Sequence, residues 1–283
     1  MQKKGEMKVL LVGASGFLGK NIFYSLQKNY DLTLLVRKID SNIELNNQIT
    51  YDKISSISNI NFEVIINCAV NYGRENLSNV IDSNVLLPIK LIEIFKNSIS
   101  IFITFDSFYT KFEKSPLLNY TLSKRQINNW YSKITNLRIV NIKLEHLYGN
   151  FDSKTKFIPW LIGELEMNKT LELTECKQKR DFISTFDVVS FIHEIIKKRK
   201  SFKIKLNQIE LGTGKSIEIK KLVLKLKTLL KSDSKVLFNT KVDSSEIMDS
   251  YANIKTIPSF IEWKPKFNID LGLKELLKSN LQK

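Results

Sequence analysis

Two side chains with complementary acid–base chemistry stand four positions apart in this 283-residue chain, in the run Tyr120-Thr-Leu-Ser-Lys124. On a helix that spacing puts both on one face, one turn apart. A free tyrosine titrates near about 10, and a neighbouring ammonium favours the phenolate and lowers that value. Such a pair can exchange a proton with a substrate oxygen near neutral pH, typically about 10²–10⁴-fold in rate. The spacing alone is common in a lysine-rich chain. Its weight comes from its place, roughly a hundred residues past a glycine turn and on the helix after the fifth strand.

The glycine turn lies in Lys8–Leu26. Val9 to Val12 is an unbroken apolar run, the mark of a strand buried on both faces. Gly13-Ala14-Ser15-Gly16-Phe17-Leu18-Gly19 follows at once, and Phe17, Leu18, Ile22, Phe23 and Leu26 then recur at helical spacing. Strand, glycine turn and helix in this order are the context of a dinucleotide-binding turn. Gly13 suits the tight exit from the strand, Gly16 a close approach of backbone to pyrophosphate, and Gly19 close packing of helix on sheet. The helix N-terminus presents free N–H groups and partial positive charge to the phosphates. Ser15, Phe17 and Leu18 belong to the same cofactor-facing turn. Arg37 and Lys38 stand at the end of a second strand, Asp31–Val36. A cation there suits the 2′-phosphate of NADP, where an acidic residue would favour NAD. The expected cofactor is therefore NADP(H), with Arg37 as main contact. Asp52, after a weak third strand at Ile49–Tyr51, is placed to face the adenine ring.

Further strands are expected at Val64–Val70, Ser100–Phe105 and Leu137–Leu144, with helices over Leu77–Phe95 and from Leu118 to Trp130. This alternation predicts an α/β fold, a Rossmann-type doubly wound parallel sheet. Asn71, Tyr72 and Arg74 fall in the loop after the fourth strand, at the carboxyl edge where open α/β sheets place ligands. Beyond Asn150 the pattern becomes irregular, with helices at Phe157–Met167, Asp187–Lys198 and Ile217–Leu230 and strands at Leu171–Thr174, Ile204–Leu211 and Val236–Phe238. Residues 1–150 with about 181–212 are expected to form the dinucleotide-binding domain. Residues 151–180 and 213–283 are expected to form a small C-terminal α+β substrate domain.

The net charge of +15 is nearly all scattered lysine, without an aromatic-studded basic ribbon, so nucleic-acid binding is not expected. A basic surface suits an anionic substrate such as a nucleotide diphosphate. No apolar run of about 18 residues argues for a membrane span, and the opening MQKKGEMK has no apolar signal core. Cys68 and Cys176 are isolated, and His146 and His193 are the only histidines and far apart. No metal site or disulfide framework is expected, and a reducing cytoplasm fits.

The Gly13-x-x-Gly16-x-x-Gly19 spacing with Tyr120-x-x-x-Lys124 resembles the extended short-chain dehydrogenase/reductases that act on nucleotide sugars. The resemblance implies that Asn67-Cys68-Ala69 passes the nicotinamide ribose, that Lys124 bonds that ribose, and that Asn84 braces neighbouring loops. It also implies a Ser or Thr near the end of the fifth strand that holds the reacting oxygen. Thr104 and Ser107 are the available hydroxyls. Aligning Tyr109 with the aromatic that follows this segment puts Phe105 in the expected slot, a departure from the pattern. Ser107 is preferred, as the residue past the strand end. Asp106-Ser107 stands where sugar-nucleotide dehydratases carry Asp-Glu.

Several segments are similar to a narrower group, the reductases that make CDP-linked 3,6-dideoxyhexoses, the CDP-abequose and CDP-paratose synthases. They are residues 71–76 with 83–88, the run from Lys143 to Asp152, Lys156-Phe157, Lys179-Arg180-Asp181-Phe182 and Trp263-Lys-Pro265. The similarity implies NADPH-dependent reduction of the C4 keto group of a nucleotide-linked deoxy sugar for O-antigen or other surface polysaccharide. Arg180, Lys156 and Arg74 would neutralise the substrate diphosphate. Glu145 and His146 read equally well as buried structural polars and stay outside the catalytic set. The nearest alternative is a 4-epimerase of the same superfamily. Relatives often form homodimers through two helices that include the Tyr120 helix.

Overall fold

The computed structural model describes residues 7–41, 43, 47–73, 76–241 and 246–280. Its elements in chain order are β1 (Lys8–Val12), α1 (Phe17–Leu26), β2 (Asp31–Val36), β3 (Gln48–Thr50), β4 (Val64–Asn67), α2 (Leu77–Ile81), α3 (Leu87–Phe95), β5 (Ile101–Ser107), α4 (Leu118–Lys133) and β6 (Ile139–Leu144). There follow β7 (His146–Tyr148), α5 (Phe157–Glu166), β8 (Leu171–Thr174), β9 (Lys179–Arg180), β10 (Phe182–Ser184), α6 (Thr185–Lys197), β11 (Leu206–Leu211), β12 (Ile217–Glu218), α7 (Ile219–Leu230), β13 (Val236–Thr240), β14 (Asp249–Ser250) and α8 (Ile269–Asn280).

Seven strands form one sheet in the order β3-β2-β1-β4-β5-β6-β11. Every pairing in it is parallel. Side-chain alternation divides β1 between two cores: Val9 and Leu11 pack with α1 and α6, and Leu10 and Val12 with α3 and α4. The sheet is thus covered on both faces, as all-parallel sheets are. The chain builds β1-β2-β3 outward, then returns to place β4 on the other side of β1. That reversal opens a crevice at the carboxyl edge between the loops after β1 and β4.

A third apolar cluster joins α5, β8, α7 and α8 around Leu161, Leu165, Leu222, Leu226 and Leu273. Two buried carboxylates tie irregular segments to it and to the main sheet. Asp181 accepts the N–H groups of Thr213 (2.9 Å), Gly214 (2.9 Å) and Ala252 (3.2 Å). Asp187 accepts those of Lys266 (2.8 Å) and Phe267 (3.0 Å). Buried backbone donors outside ladders need such acceptors. Among the described residues no helix is long and apolar enough to cross a membrane.

Three local differences from the sequence expectations bear on the site. β4 stops at Asn67 rather than Val70, where the Asn67 side chain accepts the Ala69 N–H (3.2 Å) and turns the chain into the crevice. β5 runs on through Ser107, so Ser107 is the last residue of the strand and not beyond it. The helix expected over 77–95 contains a π-helical turn at Asp82–Leu86 just before Pro88. Proline has no N–H to continue the ladder, and π-turns concentrate at functional sites. Ile81, the last residue of α2 before that turn, is 42% exposed.

Gly19 packs so close to the glycine turn that a Cβ would lie 2.1 Å from the Gly13 carbonyl oxygen, whereas a Cβ on Gly163 in α5 meets nothing within 4 Å. Gly19→Ala is expected to destabilise the protein by about 1–3 kcal/mol through overpacking, and Gly163→Ala to stabilise it by about 0.5–1 kcal/mol. Urea unfolding midpoints of the two variants check both signs.

Candidate active site

Gly13, with φ of +79°, turns the chain out of β1, and a Cβ there would lie 2.8 Å from the Ala69 nitrogen. The close approach brings Cys68 and Ala69, at the end of β4, against the glycine turn. Gly16 precedes α1 in extended conformation, no side chain caps that helix, and its first turn has no acidic residue. Its N-terminal N–H groups and dipole are therefore available to an anion. Ser15, Arg37 and Lys38, with Ile39, Asp40 and Ser41, line a crevice of about 470 Å³. The structure thus unites the turn with the cations at the end of β2. Asp52 is exposed and does not line this crevice; a hydrogen bond from Thr50 is the main cause holding its carboxyl below the ordinary range. Burial pushes the Tyr51 phenol up to about 12 against the opposing charge of Arg37. These features, a glycine cradle that a Cβ would fill and an uncapped helix end flanked by cations, fit a dinucleotide.

Tyr120 and Lys124 lie on α4 and are both 7% exposed. The Lys124 ammonium donates to the Phe105 carbonyl at 2.7 Å and stands 5.9 Å from the Tyr120 ring centre. Burial lowers its pKa to about 8, against the opposing pull of the Asp106 carboxylate. The Tyr120 pKa does not end below its ordinary value, contrary to the expectation for a phenol beside a lysine. Burial pushes the phenol above its ordinary value, reinforced by Tyr72 and opposed by a hydrogen bond with Ser107. Of the two candidate hydroxyls, Ser107 meets Tyr120, while Thr104 accepts from Tyr131 (3.5 Å) in the core. Burial likewise raises the Cys68 thiol, which feels the Lys124 charge.

Three of the expected substrate residues gather near these groups. The Tyr72 ring lies 5.2 Å from that of Tyr120, tilted by 42°. Lys156, at the start of α5, holds its ammonium 4.5 Å from the Tyr72 ring centre. Asn71 is braced as the family resemblance implies. Its backbone N–H donates to the Asn84 side chain (2.8 Å), and Asn84 in turn donates to the Asn71 carbonyl (2.8 Å) and the Ser123 hydroxyl (2.9 Å). The π-helical turn is what aims Asn84 inward at α4. The Asn71 side chain itself accepts the Gly73 N–H (2.9 Å) and so shapes the loop. Arg180 is 7% exposed and pairs with Glu246, a partner that no motif announced. Tyr109 feels the charges of both Arg180 and Glu246, which places Arg180 beside the turn that follows Ser107. Arg74 lies outside the described residues.

Motif reading misses a second layer of polar residues. Asp106, 4% exposed, accepts the Ser107 N–H (2.8 Å), the Thr110 hydroxyl (2.9 Å) and the Asn128 amide (3.0 Å). Asn128 accepts from Asn141 on β6 (2.6 Å). Asn128 continues the Tyr120, Lys124 stripe by another four residues, the one sequence signal that could have found it. Among the described residues no group of three or more His, Cys, Asp or Glu side chains could hold a metal ion.

This fold, with a glycine turn and a Tyr–Lys pair at the carboxyl edge of a seven-stranded parallel sheet, defines a Rossmann enzyme of the short-chain dehydrogenase/reductase class. The chain belongs to the NAD dependent epimerase/dehydratase family, whose profile matches residues 9–207. CDP-abequose synthase of Salmonella muenchen is 34% identical to it over 287 residues, spanning 95% of this chain and 97% of that protein. GDP-6-deoxy-D-talose 4-dehydrogenase of Aggregatibacter actinomycetemcomitans is 24% identical over 68% of this chain and 71% of its own length. The structure of UDP-glucuronic acid 4-epimerase from Bacillus cereus with UDP-glucuronic acid and NAD shares the fold, with a TM-score of 0.82 at 19% identity over 98% of this chain and 99% of that one.

Asp106 is the carboxylate that favours the charged form of Lys124. In Asp106→Asn the Lys124 pKa is expected to fall below its value of about 8, because an opposite charge that stabilised the ammonium is gone. The pH dependence of acylation at Lys124, read by mass spectrometry, measures the shift; an unchanged or raised midpoint contradicts it.

Proposed function

We propose that the protein reduces the C4 keto group of a nucleotide-linked deoxy sugar with NADPH, in the making of a surface polysaccharide. The observation that carries this reading is the grouping of Ser107, Tyr120 and Lys124 beside the end of β4, where Cys68 and Ala69 meet the glycine turn. A reduction needs a proton donor at the oxygen, and a phenol protonated at neutral pH can serve as one. CDP-abequose synthase, by its name, makes a CDP-linked product, and GDP-6-deoxy-D-talose 4-dehydrogenase, by its name, works at position 4 of a GDP-linked deoxy sugar.

NADPH, when bound, supplies a hydride to the carbonyl carbon. Gly13, Ser15, Gly16, Phe17, Leu18 and Gly19 would hold its pyrophosphate, Arg37 and Lys38 its 2′-phosphate, and Cys68, Ala69 and Lys124 its nicotinamide ribose. Tyr120 gives its proton to the developing alkoxide, and Ser107 orients that oxygen. Lys124 places a positive charge near the phenolate left behind, a stabilisation that strengthens in a buried site. Arg180 and Lys156 neutralise the diphosphate, and Arg180 exchanges Glu246 for it. Residues 151–180 and 213–283 act as the substrate lobe. Leu77, Ile81 and Leu86 on the α2–α3 helix, and Leu118, Leu122 and Trp130 on α4, are large, apolar and exposed. They are the surface through which two copies would pair.

The deciding experiment is NADPH consumption against CDP-, dTDP-, GDP- and UDP-linked 4-keto sugars. Tyr120→Phe is expected to lower kcat by about 10²–10⁴-fold with NADPH binding retained; a variant that keeps most of the rate removes the acid role. Arg37→Ala is expected to cut the preference for NADPH over NADH by about 10- to 100-fold, the worth of a charge-assisted bond to the 2′-phosphate. Tightly held NAD in the purified protein, with no net NADPH turnover, would point to an epimerase instead.

A further inference from the structure

Glu145 follows β6 and is almost wholly enclosed, its side chain 1% exposed. Its carboxylate pairs with Lys111 and accepts the Ser250 hydroxyl at 2.8 Å. Lys111 is the last residue of the turn Phe108–Lys111 that leaves Ser107. Its ammonium also donates to the Tyr251 carbonyl (2.8 Å) and to Glu210 (3.3 Å). Ser250 lies in β14, directly opposite Arg180 of β9, and its carbonyl accepts the Asp181 N–H at 3.0 Å. Glu145 therefore touches both the turn that carries Ser107 and the strand pair that carries Arg180. His146 stands nearby with Nδ1 3.8 Å from Glu145 Oε2, beyond hydrogen-bond reach.

Burial alone would raise the Glu145 pKa, yet its polar neighbours and the Lys111 charge hold it below the ordinary range. The carboxylate is ionised and fully engaged. A buried ion pair adds little net stability over an apolar pair of the same size. What it does supply is direction, because its geometry is fixed from both sides.

We propose that Glu145 is a positioning residue that sets the distance between Ser107 and Arg180. Ser107 serves the reacting end of the substrate and Arg180 the diphosphate end, so one carboxylate fixes the span of the nucleotide sugar. The proposal rests on the ketoreductase reading for these two roles. The contacts of Glu145 and Lys111 run to Ser250, Glu210 and Tyr251 and not to the glycine turn, so NADPH binding is expected to be independent of them.

In Glu145→Gln the shape and the Ser250 bond survive and the ion pair is lost, while Lys111 keeps Glu210. Steady-state kinetics on the keto sugar accepted by the wild type are expected to show kcat/KM for the sugar down by about 10- to 100-fold, the cost of a small misplacement. The KM for NADPH stays within about twofold, which separates a positioning effect from general loss of structure. Lys111→Met added to Glu145→Gln should cost little more, because the two act as a unit. Sugar kinetics unchanged within about twofold, or an NADPH KM that rises in step, overturn the proposal. Should Glu145→Gln not fold, Ser250→Ala severs only the strand-side contact and must show the same split. If the wild type reduces no keto sugar, the ketoreductase reading fails. The variants are then compared by calorimetry with CDP and NADPH. Weaker CDP binding at constant NADPH binding supports the positioning role, and unchanged CDP binding sinks it.

Discussion

The Lys124 ammonium is buried and donates to the Phe105 carbonyl at 2.7 Å, and this bond governs how the rest of the site is arranged. A charge taken out of water must find compensation. Here it finds a main-chain dipole at the end of β5 and the Asp106 carboxylate beyond it. The bond fixes α4 against the strand that ends in Ser107, and Tyr120, one turn earlier on the same helix face, is carried to the Ser107 hydroxyl. Burial also shifts both groups: it weakens the ammonium's hold on its proton and strengthens the phenol's.

Around this contact three buried polar residues act as braces, each joining segments far apart in sequence. Asn84 joins the loop after β4 to α4, Asp106 joins the end of β5 to α4, and Glu145 joins the turn after β5 to β14. Their acceptors and donors are nearly all met, which is the condition under which a buried polar network rigidifies rather than destabilises. The loops at the carboxyl edge therefore owe their shape to side chains anchored in the helices and strands behind them. The phosphate side is built differently. The glycine turn works through absent side chains, with Gly13 against Ala69 and Gly19 against Gly13.

Much of this was legible in the chain. β2 and β8 fall on the residues their apolar patterns predict, and the strand, glycine turn and helix at the start follow from local rules. The Tyr120, Lys124 pair is a local signal too, since helical spacing alone puts both on one face. Less legible were the π-helical turn before Pro88, the extension of β5 through Ser107, and helix α8, which no pattern announced. The choice between Thr104 and Ser107 was also open. Parity along β5 sends Thr104 and Asp106 to the face that α4 covers and Phe105 and Ser107 to the other, so local alternation favours Thr104 and does not find Ser107.

The sequence by itself determined the fold class, the glycine turn and the pairing of Tyr120 with Lys124 on one helix face, because each rests on spacing within about twenty residues or on one strand's exit into one helix. Only the tertiary structure decided which hydroxyl faces Tyr120, that Arg180 is met by Glu246, and that the Tyr120 pKa rises when its neighbour is a lysine. Those outcomes depend on how much water is excluded and on which distant segments close over the site. Desolvation and long-range pairing are properties of the packed molecule, and no local run of residues encodes them.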